Sequence, residues 1–332
     1  MNCYETRGCI RNCTPCSSRS DRTYLDYWQA ITWLHRIKPM EMGNIACSDY
    51  QSFNRARIES PGVSMEQIMP AKNNSISAFV ITKNNSEKIG ACLESLAWAD
   101  EVVVVDDFST DATPEICRKF ANVRFFQNRF EGFQEQKHHA VSLASHDWIL
   151  KIDADECVSE TMKASILALT DSDFASCSCF EFKRLTCFWG KWIRHASLYP
   201  DYSPRLMNKH QGSITSGINP HDKFKPHGKT KRLTGDLLHY QNWDLYTYAT
   251  RTILYSNISA QEYFKLGKSA NLSHITIRPF YTFIYRYLIR LGFLEGIRGL
   301  VISVMGGVGT FVKYSKLLEL QRELHRPPTK LI

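Results

Sequence analysis

From about residue 76 the chain settles into short apolar runs alternating with segments whose apolar residues recur at helical spacing. Residues 77–82 form a run long enough for a buried strand and end in the polar turn Lys83-Asn84-Asn85-Ser86. Ser86 is placed to cap a helix whose apolar positions are Ile89, Leu93, Leu96 and Ala97. Residues 101–105 are mostly valine, which suits a second strand. Thr110 to Thr113 offers capping groups, and Pro114 fits the first turn of a helix over 114–120. A third strand is predicted over 123–126, a helix over 133–144 and a fourth strand over 148–152, after which Ser159 opens a helix to Leu169. Strands alternating with helices predict an α/β fold: a Rossmann-like, mostly parallel central sheet flanked by helices.

The alternation stops near residue 175. Residues 180–186 read as one more strand, 188–202 are aromatic and basic, and 221–227 are polar and loop-like. From Leu245 the pattern is helical, with Tyr248, Ile253, Tyr255, Ile258, Tyr263 and Leu266 forming a stripe expected to pack between helices. Residues 280–320 are apolar and aromatic but broken by Arg286, Arg290, Glu295 and Arg298. The uncharged stretch 299–312 is shorter than the roughly 20 residues a spanning helix needs. Apolar and aromatic residues interrupted by basic ones suit a helical hairpin lying in a membrane interface, its arginines with Lys313 and Lys316 facing anionic lipid. Three regions are therefore expected: a poorly structured extension over 1–72, a catalytic domain over 73–242 and a helical, membrane-associating region over 243–326.

Composition narrows the partners. With 332 residues, 43% hydrophobic, the chain can bury a sizeable core, and a net charge of +8 calls for an anionic partner. No RNA-binding or zinc-finger signature is present, so no nucleic-acid partner is expected. The eleven cysteines are scattered and residues 1–20 contain no apolar signal segment, which reads as reduced thiols in an intracellular protein. Cys13-Thr-Pro-Cys16 has half the spacing of a zinc site, but no second pair follows it nearby. Met65 and Met69 stand just ahead of the first confident strand as alternative starts.

Two strand ends carry the candidate chemistry. One runs through four valines into Asp106-Asp107, the other through Trp148-Ile-Leu-Lys151-Ile into Asp153-Ala-Asp155-Glu156. Ligands in open α/β sheets bind beyond the carboxyl ends of the strands, so both acidic pairs should face one crevice. Residues i and i+2 of an extended chain share a side, which lets Asp153 and Asp155 face one Mg²⁺ or Mn²⁺ completed by a substrate diphosphate. Asp106 and Asp107 are placed to accept hydrogen bonds from a nucleoside, while Ser109-Thr110-Asp111 reads as turn and helix cap. Lys137, between the two acidic ends, can offset diphosphate charge or hold the base.

These segments resemble inverting family 2 glycosyltransferases of the GT-A fold. Several motifs are similar to bacterial lipopolysaccharide core glycosyltransferases of the heptose β-1,4-glucosyltransferase type. They include Ala97-Trp-Ala-Asp-Glu101, Arg129-Phe-Glu-Gly-Phe133 with Gln136-Lys137, Leu150 to Glu156 and Trp192-Ile-Arg-His195. Tyr199-Pro-Asp-Tyr202, Gly235-Asp-Leu-Leu-His-Tyr240, and Leu291-Gly-Phe293 with Gly296-Ile-Arg-Gly-Leu300 belong to the same set. The likeness covers about residues 76 to 320. It implies metal-dependent transfer of a hexose, glucose from UDP-glucose, to a lipid-linked saccharide at the cytoplasmic face of the bacterial inner membrane. Asp155 is then the expected metal ligand, with Asp153 on the metal or the nucleotide sugar, and Arg205 could grip a phosphate. Asp222 is the first candidate for the base, standing where these relatives usually carry Glu, and Asp201 the second. His138 in place of Asn and Phe108 in place of a small residue depart from the pattern near the donor. Two competing readings are a nucleotide-sugar-binding scaffold with a degenerate site and a sugar-phosphate nucleotidyltransferase. The second would want a glycine-rich loop, which Lys83-Asn-Asn-Ser86 lacks.

Overall fold

The computed structural model describes residues 74–214, 224–241 and 244–324, all within one compact unit, Val63–Ile332. The expected extension over 1–72, with its Cys13/Cys16 pair, lies outside the described residues, as does Asp222. The amino-terminal part alternates β1 (Ile76–Thr82), α1 (Ile89–Glu94), β2 (Glu101–Asp106), α2 (Thr113–Cys117), β3 (Val123–Gln127), α3 (Phe133–Leu143) and β4 (Trp148–Lys151). Next come β5 (Glu156–Val158), α4 (Glu160–Leu167), α5 (Asp171–Ser176), β6 (Cys179–Phe188), β7 (Lys191–Ile193) and β8 (Asp201–Asn208). The small pair β9 (Gly212–Ile214) and β10 (Phe224–Pro226) precedes the long β11 (Thr230–Gln241). Helices α6 (Leu245–Lys265), α7 (Leu272–Ile284) and α8 (Ile297–Leu324) close the described chain.

The main sheet runs β3-β2-β1-β4-β8-β6-β11-β5, with β7 added beside β6. Its first four strands are parallel, as the βα alternation predicted. The expectation of a mostly parallel sheet fails beyond β4. Strand β8 pairs antiparallel to both β4 and β6, β7 antiparallel to β6, and β5 antiparallel to β11, so the sheet is mixed. The reason is connectivity. Strand β8 enters beside β4 without a crossover helix between β6 and β8, and only crossovers enforce parallel pairing. Pro204 lies at the register shift between β6 and β8, where a missing N–H is tolerated.

Period-two alternation builds a core on each face. Val102 and Val104 join Ile89, Leu93, Leu150 and Phe182 on one side, while Val103 and Val105 join Phe79, Ala140 and Ile149 on the other. Of the predicted helix caps, that of Ser159 forms and that of Ser86 does not. Ser159 Oγ accepts the Met162 N–H at 3.2 Å, whereas Ser86 makes no cap and its N–H donates to Asp111 Oδ2 at 3.0 Å. Gly235 has φ 98°, and a Cβ there would lie 2.2 Å from Met162 N, so only glycine lets β11 bulge against α4.

The carboxy-terminal helices form the expected hairpin. Helix α7 passes through a π turn (Tyr285–Ile289) and a 3₁₀ turn (Gly292–Glu295) into α8, which packs on α6 and α7. At the tip a Cβ on Gly299 would sit 1.8 Å from Gly292 O, so the crossing excludes side chains. Among the described residues no helix is long and apolar enough to cross a membrane. The α6 stripe is only partly buried: Ile258 packs inside and Tyr263 against the hairpin, but Ile253 and Leu266 are exposed.

Candidate active site

Strand register decides which side chains can meet. Thr82 stands opposite Asp106 and Phe79 opposite Lys151, so β1 separates the two acidic strand ends. They close alternate strands of one sheet edge, about 10 Å apart at the strand spacing.

At the first end Asp106 is fully buried and already bonded. It accepts from the Ser109 N–H at 2.9 Å, from the Ser109 hydroxyl, and from Gln127 Nε2 at 3.1 Å. Asp107 pairs with the Lys83 ammonium and accepts the Phe130 N–H at 3.1 Å. The two loops above them are strapped together. Asn84 N donates to Ser109 Oγ at 2.7 Å, Thr110 N to Asn84 Oδ1 at 2.8 Å, and Thr113 N to Asp111 Oδ1 at 3.0 Å. Burial pushes the Asp111 carboxyl up, and hydrogen bonds from Thr113 and Ser86 more than reverse it, holding it below its usual range. Phe108 sits in the left-handed region at φ 47° with 55% of its surface exposed, a costly backbone for a bulky residue. Thr82 Oγ1 is buried and bonded to no described residue.

At the second end the acids are embedded in cations. Asp153 lies deep among protein atoms yet keeps 41% of its side-chain surface open, as on the floor of a cleft. Burial pushes its carboxyl up, but Lys151, Arg205 and Lys137 together hold it well below the usual range. Lys151 is pushed down to about 8, first by burial and then by Lys137 and Arg205, with Asp153 opposing. Lys137 is buried on α3, its ammonium 5.4 Å from the Phe133 ring centre. Asp155 lies 3.4 Å from His239 Nε2 and keeps 30% of its side chain open. Burial raises Asp155, and the hydrogen bond and charge of His239 more than reverse it. The other ring nitrogen of His239 faces Thr186 Oγ1 at 3.5 Å. The Asp155 carbonyl accepts the Tyr240 N–H at 2.9 Å, which ties the end of β11 to the acidic turn.

Arg205, expected from the sequence to grip a phosphate, has its guanidinium engaged within the protein. Its Nη1 and Nη2 grip Glu156 at 2.7 and 2.8 Å, its Nε donates to Ser203 Oγ at 3.0 Å, and Asp153 is 3.7 Å away. Glu156 is fully buried and accepts the Asp153 N–H at 3.0 Å, so the pair sets the turn that carries Asp153. Asp201 lies on the same edge, its Oδ2 held by Arg184 Nη2 at 2.8 Å and Nε at 3.1 Å. Lys137, Asp153, Asp155 and Arg205 are thus gathered with Lys151 and His239, with Asp106 and Asp107 two strands away.

Among the described residues no group of three His, Cys, Asp or Glu side chains can hold a metal alone. Asp155, partly open beside the buried His239, nevertheless fits an Mg²⁺ or Mn²⁺ site that takes its remaining oxygens from substrate phosphates and water. His239 and Lys151 carried no assigned role in the sequence reading. His239 stood inside the quoted Gly235–Tyr240 motif, and Lys151 directly precedes the acidic turn.

The sequence profile of Glycosyl transferase family 2 matches residues 77–223. A glycosyltransferase of Rickettsia conorii is 30% identical over 258 residues, spanning 74% of this chain and 90% of that protein. The chain belongs to glycosyltransferase family 2. Within the family it is 24% identical to the lipopolysaccharide core biosynthesis glycosyltransferase LpsC of Rhizobium meliloti, over 76% of this chain and 95% of LpsC. Among solved structures it is similar to S. aureus TarS 1-349 in complex with UDP-GlcNAc, with a TM-score of 0.43, 16% identity, and coverage of 75% of this chain and 92% of that one. This family 2 glycosyltransferase therefore carries its acidic turn within the matched region and its hairpin beyond it.

Proposed function

We propose that the enzyme transfers a hexose, glucose from UDP-glucose, with inversion to a lipid-linked saccharide in lipopolysaccharide core assembly, at the cytoplasmic face of the inner membrane. The observation carrying this reading is the open acidic turn of Asp153 and Asp155, set among Lys137, Lys151 and His239 at the carboxyl edge of the sheet. The likeness to LpsC supports the acceptor class.

Asp155 and His239 would hold the divalent cation, with Asp153 on the cation or on a sugar or ribose hydroxyl. A bound Mg²⁺ or Mn²⁺ supplies Lewis-acid stabilisation of the leaving diphosphate. Lys151 and Lys137 add fixed positive charge where that diphosphate gathers. Thr82, with its unbonded buried hydroxyl, and Asp107 line the nucleoside end, and Phe108 offers a ring face there. A single displacement needs a base for the acceptor hydroxyl. We assign it to Asp222, with Asp201, whose Oδ2 is held by Arg184, as the alternative.

The hairpin supports the membrane reading. Ile277, Phe280, Tyr281, Ile289, Ile297 and Phe311 leave between 48% and 67% of their surface exposed, beside Arg286 and Arg290. Such a surface suits an anionic bilayer interface.

Thermal unfolding with UDP-, GDP- and TDP-sugars tests the site. Near saturation a UDP-hexose with Mn²⁺ should raise Tm by roughly 5–10 °C. The rise should vanish without metal and in Asp155→Ala, and shrink in His239→Ala. Equal stabilisation of wild type and Asp155→Ala would refute the metal assignment.

A further inference from the structure

The stretch 189–201 runs from the end of β6 through β7 to the start of β8 and is held from outside by the tip of the carboxy-terminal hairpin. Glu295, only 4% exposed, is the centre of that hold. Its Oε1 accepts from Arg194 N at 2.9 Å and faces His195 Nδ1 at 2.7 Å, and its Oε2 pairs with Lys191 Nζ at 2.8 Å. Two further links flank it. Arg298 donates from Nε and Nη2 to Trp189 O at 3.0 and 2.8 Å, and Arg290 O accepts the Ala196 N–H at 2.9 Å. Beneath them Phe188, Ile193, Ala196 and Ile302 form a small core of their own.

The held stretch is strained. Trp189, Ala196 and Ser197 occupy the left-handed region at φ 49°, 57° and 63°, and none is glycine. Such residues persist only where the surroundings over-determine them, and they cluster at ligand clamps. Ser197 Oγ is buried and bonded to no described residue. Both ends of the stretch feed the catalytic edge. The Trp192 ring meets Tyr240 at 5.2 Å, and Tyr240 N–H donates to the Asp155 carbonyl. At the far end Tyr199 donates to Asp236 at 2.9 Å, and Asp201 follows at the start of β8.

We propose that residues 189–201 are the platform for the lipid-linked acceptor saccharide, and that Glu295 is the positioning residue that holds this platform in its strained shape from the membrane hairpin. The surface turned to the bilayer and the surface that receives the saccharide are thereby one rigid unit, so docking presents the acceptor hydroxyl to the site at a fixed height. Glu295 touches neither donor nor acceptor. Its effect passes through the Arg194–Ser197 backbone, and the nucleoside end of the donor site, at Thr82 and Asp107, lies away from it. This inference rests on the transferase reading for its substrate.

The test uses the full chain as Glu295→Gln and, from the other side of the same stretch, Arg298→Gln. Hydrogen exchange of the 194–201 amides should accelerate in both, with exchange in β1, β2 and β4 unchanged. UDP-glucose hydrolysis with Mn²⁺ should stay within about twofold, while transfer to an inner-core heptose lipid in anionic vesicles should fall roughly tenfold to a hundredfold in kcat/KM. Unchanged exchange over 194–201 in both variants, or donor hydrolysis falling in step with transfer, would overturn the proposal. Absence of UDP-glucose hydrolysis in the wild type would instead count against the transferase reading, and the exchange experiment would still decide the hold of Glu295 on the stretch.

Discussion

Replacing Arg205 by Met separates two accounts of this residue that share its position but not its chemistry. The guanidinium forms two short bonds to Glu156, and both groups are buried, Glu156 completely. Removing one member of such a pair leaves a carboxylate without its counter-charge and costs about 3–5 kcal/mol. That is a large part of the roughly 5–15 kcal/mol that holds a typical fold together. With a urea slope near 3 kcal/mol per molar, the midpoint should fall by about 1 M or more. In the double variant Arg205→Met/Glu156→Gln the amide oxygen can still accept the Asp153 N–H, now 3.0 Å from Glu156 Oε2, and no charge is stranded. It should recover about 2 kcal/mol, a coupling of the size expected for residues in direct contact. Urea titrations of the four proteins close the cycle, and UDP-glucose affinity is measured on the same samples. If Arg205 instead grips a phosphate, Arg205→Met keeps its unfolding free energy within about 0.5 kcal/mol, the loss expected of a surface substitution, and loses donor affinity. That pattern would refute the structural role argued for it.

Two other expectations are equally direct. Glu101 is held at about 2 because bonds from Ser77, Ser145 and Arg124 outweigh the upward push of burial. A folded value below the unfolded one contributes stability that is present above about pH 4.5 and lost as pH falls towards 2, here about 3 kcal/mol. Glu101→Gln should therefore be less stable than wild type at pH 7, with the gap shrinking below pH 4.5 and closing only as pH falls through about 2; a gap constant with pH would contradict the assignment. Serine at Phe280, Ile289, Ile297 and Phe311 together should abolish co-sedimentation with anionic vesicles while moving Tm by less than about 2 °C, because surface changes are nearly neutral; retained sedimentation would place the membrane contact elsewhere.

What could be read from the sequence follows from how local each signal is. Strands β1, β2 and β4 are continuous buried runs, and their β-branched residues announce them without tertiary context. Strand β8 was hidden because Asp201-Tyr-Ser-Pro204 reads as a turn, and only the bulge against β6 accommodates the proline. Strand β11 was hidden because most of its residues are at least partly exposed, so no apolar run marks it. The same limit governs the site. Acids at strand ends were visible, but a cation's partner is a long-range fact. Nothing local to Arg205 distinguishes a grip on phosphate from a grip on Glu156, 49 residues away. Nothing local to Asp106, a nucleoside contact by its place at a strand end, announces that Ser109, three residues on, bonds both of its oxygens.

The motifs that resemble lipopolysaccharide core transferases acquire a physical meaning from the hairpin tip. Trp192-Ile-Arg-His195 and the segment Leu291 to Leu300 are about a hundred residues apart, and each supplies what the other lacks. The first offers amide, imidazole and, from the adjacent Lys191, ammonium donors; the second offers the buried Glu295 carboxylate that receives them and the Arg298 fork that returns to Trp189. A charge as deeply buried as Glu295 would be destabilising if either segment moved alone, so the two must be kept in register. An enzyme whose acceptor is fixed in a membrane cannot orient it by free diffusion. If the acceptor is membrane-bound as proposed, the tether from the apolar hairpin surface to the edge that carries Asp155 would fix the height at which that acceptor meets the site.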